Sequence, residues 1–412
     1  MQYLRIINSP KILNGKVQLP ASKSISNRAL IIRALCDTPF IIQNLSDADD
    51  TKLLNSLFQS AEKELYVKNA GTAARFLLAY YASKKGSDII LTGSDRMKER
   101  PVDELVDALK QLGARIEYMD NDGFLPVHIL GKNLAGGKIE ISAETSSQFI
   151  SALLFIAPTL LEGLTIELTG KVVSRPYIQL TLEMLAYFGI KVEWVANVIS
   201  IPPQTYFPRA FFVESDWSSA SYFLALAVLY PGSELEFDNL FENSWQGDSV
   251  LNDIMKQFGI QIDIEEKRCF IKSTPSQLAH FQYDFIDYPD LIPTFVCLCC
   301  ARQIPFHISG SRTLKHKESD RAEVLKAELA KLGYILQLDE NTITFDGTQQ
   351  NFESKVIHLN TYHDHRMAMS FAILACQNSN IHIEDPEVVE KSFPGFWDEV
   401  KSIGLEYGIV NV

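Results

Sequence analysis

The stretch LVDALKQLGARIEY, Leu105–Tyr118, reads as an amphipathic helix ending in a large apolar residue and a glycine, followed at once by a short alternating strand. The pattern returns as LTLEMLAYFGIKVEW (180–194), LNDIMKQFGIQIDI (251–264), LKAELAKLGYILQL (325–338) and WDEVKSIGLEYGI (397–409). Its glycines, Gly113, Gly189, Gly259, Gly333 and Gly404, are separated by 76, 70, 74 and 71 residues. So regular a period marks repeated supersecondary units. Glycine suits the place because a helix commonly ends on a left-handed residue, where a side chain is penalised. Dividing the 412 residues by the spacing predicts about six units, so one unit precedes Gly113. Its helix is expected within DADDTKLLNSLFQSA (47–61), yet no glycine and alternating strand follow it; only EKELYV (62–67) and Lys68 come before Asn69.

At this length the chain is expected to divide into two or three domains. Hydrophobic residues at 46% and charged residues at 22% are the proportions of a globular protein. No apolar run approaches the roughly 20 residues that cross a bilayer, and MQYLRIINSPKILNGKVQLP lacks the apolar core of a signal peptide, so a cytoplasmic location is expected. Six cysteines (36, 269, 297, 299, 300 and 376) show no paired ligand spacing and read as buried reduced thiols. The net charge of −13 argues against a nucleic-acid or anionic-membrane partner, which needs a diffuse basic surface. It leaves small anionic substrates open, because those need only a local concentration of Arg and Lys.

Such concentrations recur at predicted helix starts. Arg100-Pro101 precedes VDELVDAL, Arg175-Pro176 precedes YIQLTLEML, and Ser319-Asp320-Arg321 precedes AEVLKAEL. Pro fits the first helical turn, where its missing N–H costs nothing, and helix starts present unpaired N–H groups to an anion. An Arg fork there adds bidentate pairing with carboxylate or phosphate. Asn69-Ala70-Gly71-Thr72 lets backbone approach a ligand before the helix at Ala73-Ala74-Arg75, though alone it reads as a structural turn; no P-loop sequence is present. Ser22-Lys23-Ser24 alone reads as a Ser cap with a solvated Lys. His363 and His365 suggest a metal only weakly, since no Cys or carboxylate pair supports them. Asp290, after Pro289, and Glu318 read singly as a turn residue and an early helix acid.

In this order, Ser22-Lys23-Ser24-Ile25-Ser26-Asn27-Arg28, Asn69-Ala70-Gly71-Thr72-Ala73-Ala74-Arg75, Arg96-Met97-Lys98-Glu99-Arg100-Pro101, Ser146-Ser147-Gln148, Ser174-Arg175-Pro176-Tyr177, Lys317-Glu318-Ser319-Asp320-Arg321 and Thr361–Met369 (TYHDHRMAM) closely resemble the 5-enolpyruvylshikimate-3-phosphate synthase family of enolpyruvyl transferases. The resemblance implies an α/β (α+β) fold: six βαβαββ units forming two inside-out α/β barrel domains, with the active site in the interdomain cleft. The crossings are expected near residues 19 and 215, giving one domain of residues 1–19 and 216–412 and another of 20–215. Relative to the family, residues 58–68 look shortened. Lys68 stands where Gly is frequent, Phe76 where Pro often follows the Arg, and Thr313 where Asn is common.

The activity implied is transfer of the carboxyvinyl group of phosphoenolpyruvate to the 5-hydroxyl of shikimate 3-phosphate, a step toward chorismate and the aromatic amino acids, with glyphosate competing for the phosphoenolpyruvate site. Lys23, Asp290 and Glu318 are the implied catalytic residues. Shikimate 3-phosphate would be held by Lys23, Ser24, Arg28, Ser146, Ser147, Gln148, Ser174, Tyr177, Asp290 and Lys317. Phosphoenolpyruvate would meet Lys23, Asn69, Gly71, Thr72, Arg100, Gln148, Arg321, His365, Arg366 and Lys391. No metal, no organic cofactor and a monomer are expected. The alternatives are the related UDP-N-acetylglucosamine transferase and a non-catalytic anion-binding relative. The first typically carries a Cys in the loop corresponding to residues 93–101, where this chain has none. Damage to the cationic or carboxylate set would mark the second, and the matched residues show none.

Overall fold

The computed structural model describes residues 2–351 and 355–411. The chain forms two compact units. A terminal unit takes Met1–Ser22, Asp47–Asp49 and Glu214–Val412, and an inserted unit takes Lys23–Ser46 and Asp50–Val213. Where the chain leaves and re-enters the terminal unit, its two strands run side by side. Ser22 N donates to Glu214 O at 2.8 Å, Asp216 N to Pro20 O at 2.9 Å, and Ala21 bridges Ser215. The brief return at Asp47–Asp49 is announced by nothing in the sequence.

The inserted unit holds helices α1 (Lys23–Leu35), α2 (Asp49–Gln59), α3 (Gly71–Ser83), α4 (Asp95–Lys98), α5 (Asp103–Gln111), α6 (Ser147–Ile156) and α7 (Arg175–Tyr187). Its two four-stranded sheets have one topology. In the first, Glu64–Tyr66 runs parallel to Asp88–Thr92, which pairs antiparallel with Val127–Leu130 and so with Arg115–Tyr118. In the second, Gly137–Ser142 is parallel to Leu164–Thr169, followed antiparallel by Val198–Ile201 and Glu193–Val195. Each is a βαβαββ unit: a parallel pair needs a crossover, supplied by a helix, whereas the antiparallel pair closes as a hairpin. Asparagine 197 and its neighbours make one of those hairpin turns, with Ala196 left-handed at φ 55°.

The third sheet of this unit has two strands, Ile42–Gln43 parallel to Phe211–Phe212. Here lies the physical meaning of the short 58–68 segment. α2 ends at Gln59 and Glu64–Tyr66 already belongs to the next unit, so this first repeat keeps its parallel pair and has no hairpin strands.

The terminal unit holds α8 (Trp217–Leu229), α9 (Leu251–Ile254), α10 (Ile292–Ala301), α11 (Arg321–Ala330), α12 (His365–Ala375) and α13 (Phe396–Ser402). Its sheets repeat the same order: Asn14–Val17, Glu234–Asp238, Arg268–Ser273, Ile260–Glu265; then Phe281–Asp284, Phe306–Ser309, Thr342–Phe345, Gln337–Leu338; then Ile357–Leu359, Ile381–Glu384, Gln2–Asn8, Glu406–Asn411. The first of these units is interrupted after Asn14–Val17 by the whole inserted unit. The last is completed by the N-terminal strand, so both chain ends close one sheet.

The architecture is inside-out. α8, α10 and α12 bury nearly every residue against one another, and α3 and α6 do so in the inserted unit, because these helices are apolar all round. The sheets lie outside them with alternating burial, as in Val198–Ile201. Cys269, Cys297, Cys299, Cys300 and Cys376 are buried and unpaired, and Cys36 is half-buried. All five repeat glycines have positive φ, from 79° at Gly333 to 99° at Gly404. No helix among the described residues is long and apolar enough to cross a membrane.

Candidate active site

In the inserted unit, α1, α3, α6 and α7 begin without an acidic residue in the first turn, so their N–H groups and dipole ends are not neutralised from within. Lys23 is the first residue of α1, and its Nζ lies 3.1 Å from Asp50 Oδ2, with both side chains largely buried. One turn on, Arg28 is 3% exposed. Its guanidinium donates to Thr181 Oγ1 (2.9 Å), Ser24 O (3.0 Å), Tyr177 O (3.1 Å) and Ser151 Oγ (3.4 Å). All four partners are neutral. Burial accordingly pulls the Arg28 pKa down to about 10, the condition of a cation that gains from an arriving anion.

At the start of α3, Arg100 is buried against Gly71. A β-carbon on Gly71 would stand 2.6 Å from Arg100 Nη2, so a side chain there would displace the guanidinium from where it rests. Gln148 Nε2 donates to Thr72 Oγ1 at 3.1 Å, joining the start of α6 to that of α3. Ser146 caps α6 by accepting from Gln148 N, and Ser147 is buried beside it. Ser174, left-handed at φ 54°, precedes α7 without using its hydroxyl as a cap, and Tyr177 is half-buried in that helix's first turn. Asn69 is half-buried before α3. Lys68 sits at φ 50°, a left-handed conformation that glycine adopts without steric cost. Phe76 lies inside α3, edge-on to Phe155 and under Arg28.

The terminal unit holds a second set, built around Arg321 at the start of α11, 1% exposed. Its Nη1 donates to Asp290 Oδ1 (2.9 Å), Nη2 to Glu318 Oε2 (2.7 Å) and Nε to Asp364 Oδ2 (2.8 Å). Asp290 also meets Lys317 Nζ at 3.2 Å and Arg366 Nη2 at 2.9 Å, while Lys391 Nζ lies 3.7 Å from Glu318 Oε1. Four cations thus enclose three carboxylates. Burial alone pushes the Asp290 carboxyl up, yet Arg366, Lys317 and Arg321 together hold it well below the usual carboxylate range. For Arg321, burial lowers the pKa, and Asp364, Glu318 and Asp290 carry it above its ordinary value.

His363 and His365 diverge. The first is 90% exposed and 3.1 Å from Asp385, and the second is 1% exposed at the start of α12. No group of three or more potential metal ligands occurs among the described residues. Sequence reasoning gave no role to Asp364, which caps α12 through Arg366 N and binds Arg321 and Ser319. Its position before a helix was the available signal. It also missed Asp50 and Tyr222, whose hydroxyl accepts from Arg366 Nη1 at 3.3 Å; neither has a local signature.

Inside-out α/β units that present buried Arg and Lys side chains at helix starts define a class of protein built to hold small anions. The family model for EPSP synthase (3-phosphoshikimate 1-carboxyvinyltransferase) matches residues 7–60 and 54–400. The chain is 43% identical over 407 residues to a 3-phosphoshikimate 1-carboxyvinyltransferase of Bacteroides fragilis, covering 98% of each, and 35% identical over 432 residues to one of Shewanella pealeana, covering 98% of this chain and all of that one. The fold matches an EPSP synthase structure from Acinetobacter baumannii with a TM-score of 0.80 over the full length of both chains, at 22% identity. The chain belongs to the EPSP synthase family.

Proposed function

We propose that this enzyme transfers the carboxyvinyl group of phosphoenolpyruvate to the 5-hydroxyl of shikimate 3-phosphate and releases inorganic phosphate. Ser24, Arg28, Ser146, Ser147, Gln148, Ser174, Tyr177 and Lys317 hold the acceptor. Lys23, Arg100, Arg321, Arg366 and Lys391 hold phosphoenolpyruvate, lined by Asn69, Gly71, Thr72, Gln148 and His365. The acceptor hydroxyl gives its proton to Asp290 and attacks C2, while C3 takes a proton from Lys23 or Glu318. The tetrahedral intermediate then expels phosphate as C3 loses a proton. Positioning two anions and stabilising the developing charge is most of the task.

The observation that carries this reading is Asp290 held between Lys317, Arg321 and Arg366. So placed it is ionised but a weak base. An anion that takes over the pull of Arg321 and Arg366 raises its proton affinity, so basicity arises only when phosphoenolpyruvate is bound. We further propose that the enzyme acts as a cytoplasmic monomer. The test is phosphate release from phosphoenolpyruvate with shikimate 3-phosphate, against UDP-N-acetylglucosamine, in the presence of a chelator. Rapid release is expected with the first acceptor alone; equal turnover with the nucleotide sugar, or loss of activity on chelation, would overturn the assignment.

A further inference from the structure

The segment 358–364, which delivers Asp364, His365 and Arg366 to the start of α12, is fastened along α11. At one end Asp364 accepts from Arg321 Nε (2.8 Å) and Ser319 Oγ (3.0 Å). Two turns further along α11, Glu328 Oε2 accepts from Asn360 N at 2.8 Å and Oε1 from the Tyr362 hydroxyl at 3.1 Å. Lys331 Nζ joins this node, 2.5 Å from Glu328 Oε2 and 3.0 Å from His358 O. Between the two fastenings, Tyr362 and His363 are consecutive left-handed residues, φ 53° and 55°, and neither is glycine. Left-handed backbone at such residues persists only where surrounding contacts over-determine it.

Glu328 is 1% exposed. A buried carboxylate is costly unless its partners satisfy it. Two of its three partners lie on the loop. Tyr362 is 46% exposed, so core packing of its ring does not account for where the hydroxyl goes. We propose that Glu328 is a positioning residue for phosphoenolpyruvate, holding Asn360 and Tyr362 so that the left-handed pair delivers Asp364 to Arg321 and Arg366 to Asp290. This rests on the role given above to Arg366 and Arg321 in binding phosphoenolpyruvate.

The test uses the full chain with Glu328→Ala, Glu328→Gln and Tyr362→Phe. Glu328→Ala should raise the KM for phosphoenolpyruvate by about tenfold, as for loss of a hydrogen bond to a charged group, with the KM for shikimate 3-phosphate unchanged. Glu328→Gln should recover most of the loss, since its amide oxygen can accept from Asn360 N while its NH₂ donates to the Tyr362 oxygen. Tyr362→Phe, at an exposed ring, keeps the test alive should the Ala variant fail to fold, and it should move the same KM in the same direction. An unchanged phosphoenolpyruvate KM in Tyr362→Phe, or a parallel rise in both KM values, overturns the proposal. Amide exchange in the unliganded protein separates it from the functional reading. Exchange at residues 360–366 should quicken in Glu328→Ala while α8 and α10 stay protected, whatever the wild type turns over, and unchanged or uniformly faster exchange overturns the clamp.

Discussion

Gly71 shows how little space a functional position leaves. An alanine there would put its methyl within 2.6–2.8 Å of three guanidinium atoms of Arg100. Since φ at Gly71 is not positive, backbone strain is not the obstacle; Arg100 must move. Gly71→Ala should raise the KM for phosphoenolpyruvate by about tenfold, the lower end of what one misplaced methyl costs in a pocket, and weaken glyphosate at least as much. Steady-state inhibition measures both, and tighter inhibition of the variant would remove Arg100 from the site. Lys23→Ala, Asp290→Asn and Glu318→Gln should each lower turnover about 10²–10⁴-fold. Near-native turnover in any of them strikes that residue from the catalytic set. What sequence could not supply at this scale was pairing. Lys23 meets Asp50 across 27 positions and Arg321 meets Asp364 across 43, and neither separation has a periodicity to betray it.

Among the elements, the helix-ending glycines were readable because a left-handed terminus imposes a residue type on the sequence directly. Their surroundings were not. At Gly113 (φ 92°) an added β-carbon meets nothing nearer than Lys132 Nζ at 3.6 Å, whereas at Gly333 (φ 79°) it would stand 2.3 Å from Gln350 O. Gly113→Ala should therefore cost only the left-handed penalty of about 1–2 kcal/mol, and Gly333→Ala about 1 kcal/mol or more beyond that. Thermal unfolding of the two variants checks the order, and equal shifts would mean that the Gln350 carbonyl yields freely. The first repeat illustrates the converse limit. A missing hairpin leaves only a short interval in the sequence, and the pairing of Ile42–Gln43 with Phe211–Phe212 joins strands too short to carry a pattern.

At the scale of the molecule, the passage between the units contains Glu214, buried and bonded to Ser244 Oγ at 2.7 Å. Burial pushes its carboxyl up to about 7, from an ordinary 4.5. The folded state therefore holds a proton there that the unfolded chain releases, so stability is full below the ordinary value and is lost as pH rises through about 7. Glu214→Gln should melt higher than the wild type at pH 8, by up to about 3 kcal/mol in stability, and match it near pH 4. A constant difference across that range would mean that Glu214 is not titrating.

By itself the sequence determined the repeat, the helix starts that carry Arg and Lys, and the family to which those motifs belong, because each of these is a local demand: a left-handed turn, an apolar periodicity, a Pro-led first turn. The tertiary structure alone decided which carboxylate answers which cation, that Asp290 is held ionised by three of them, and that α11 carries the loop leading to Arg366. Those outcomes depend on distances between side chains far apart in the chain and on their removal from water, and no local spacing encodes either.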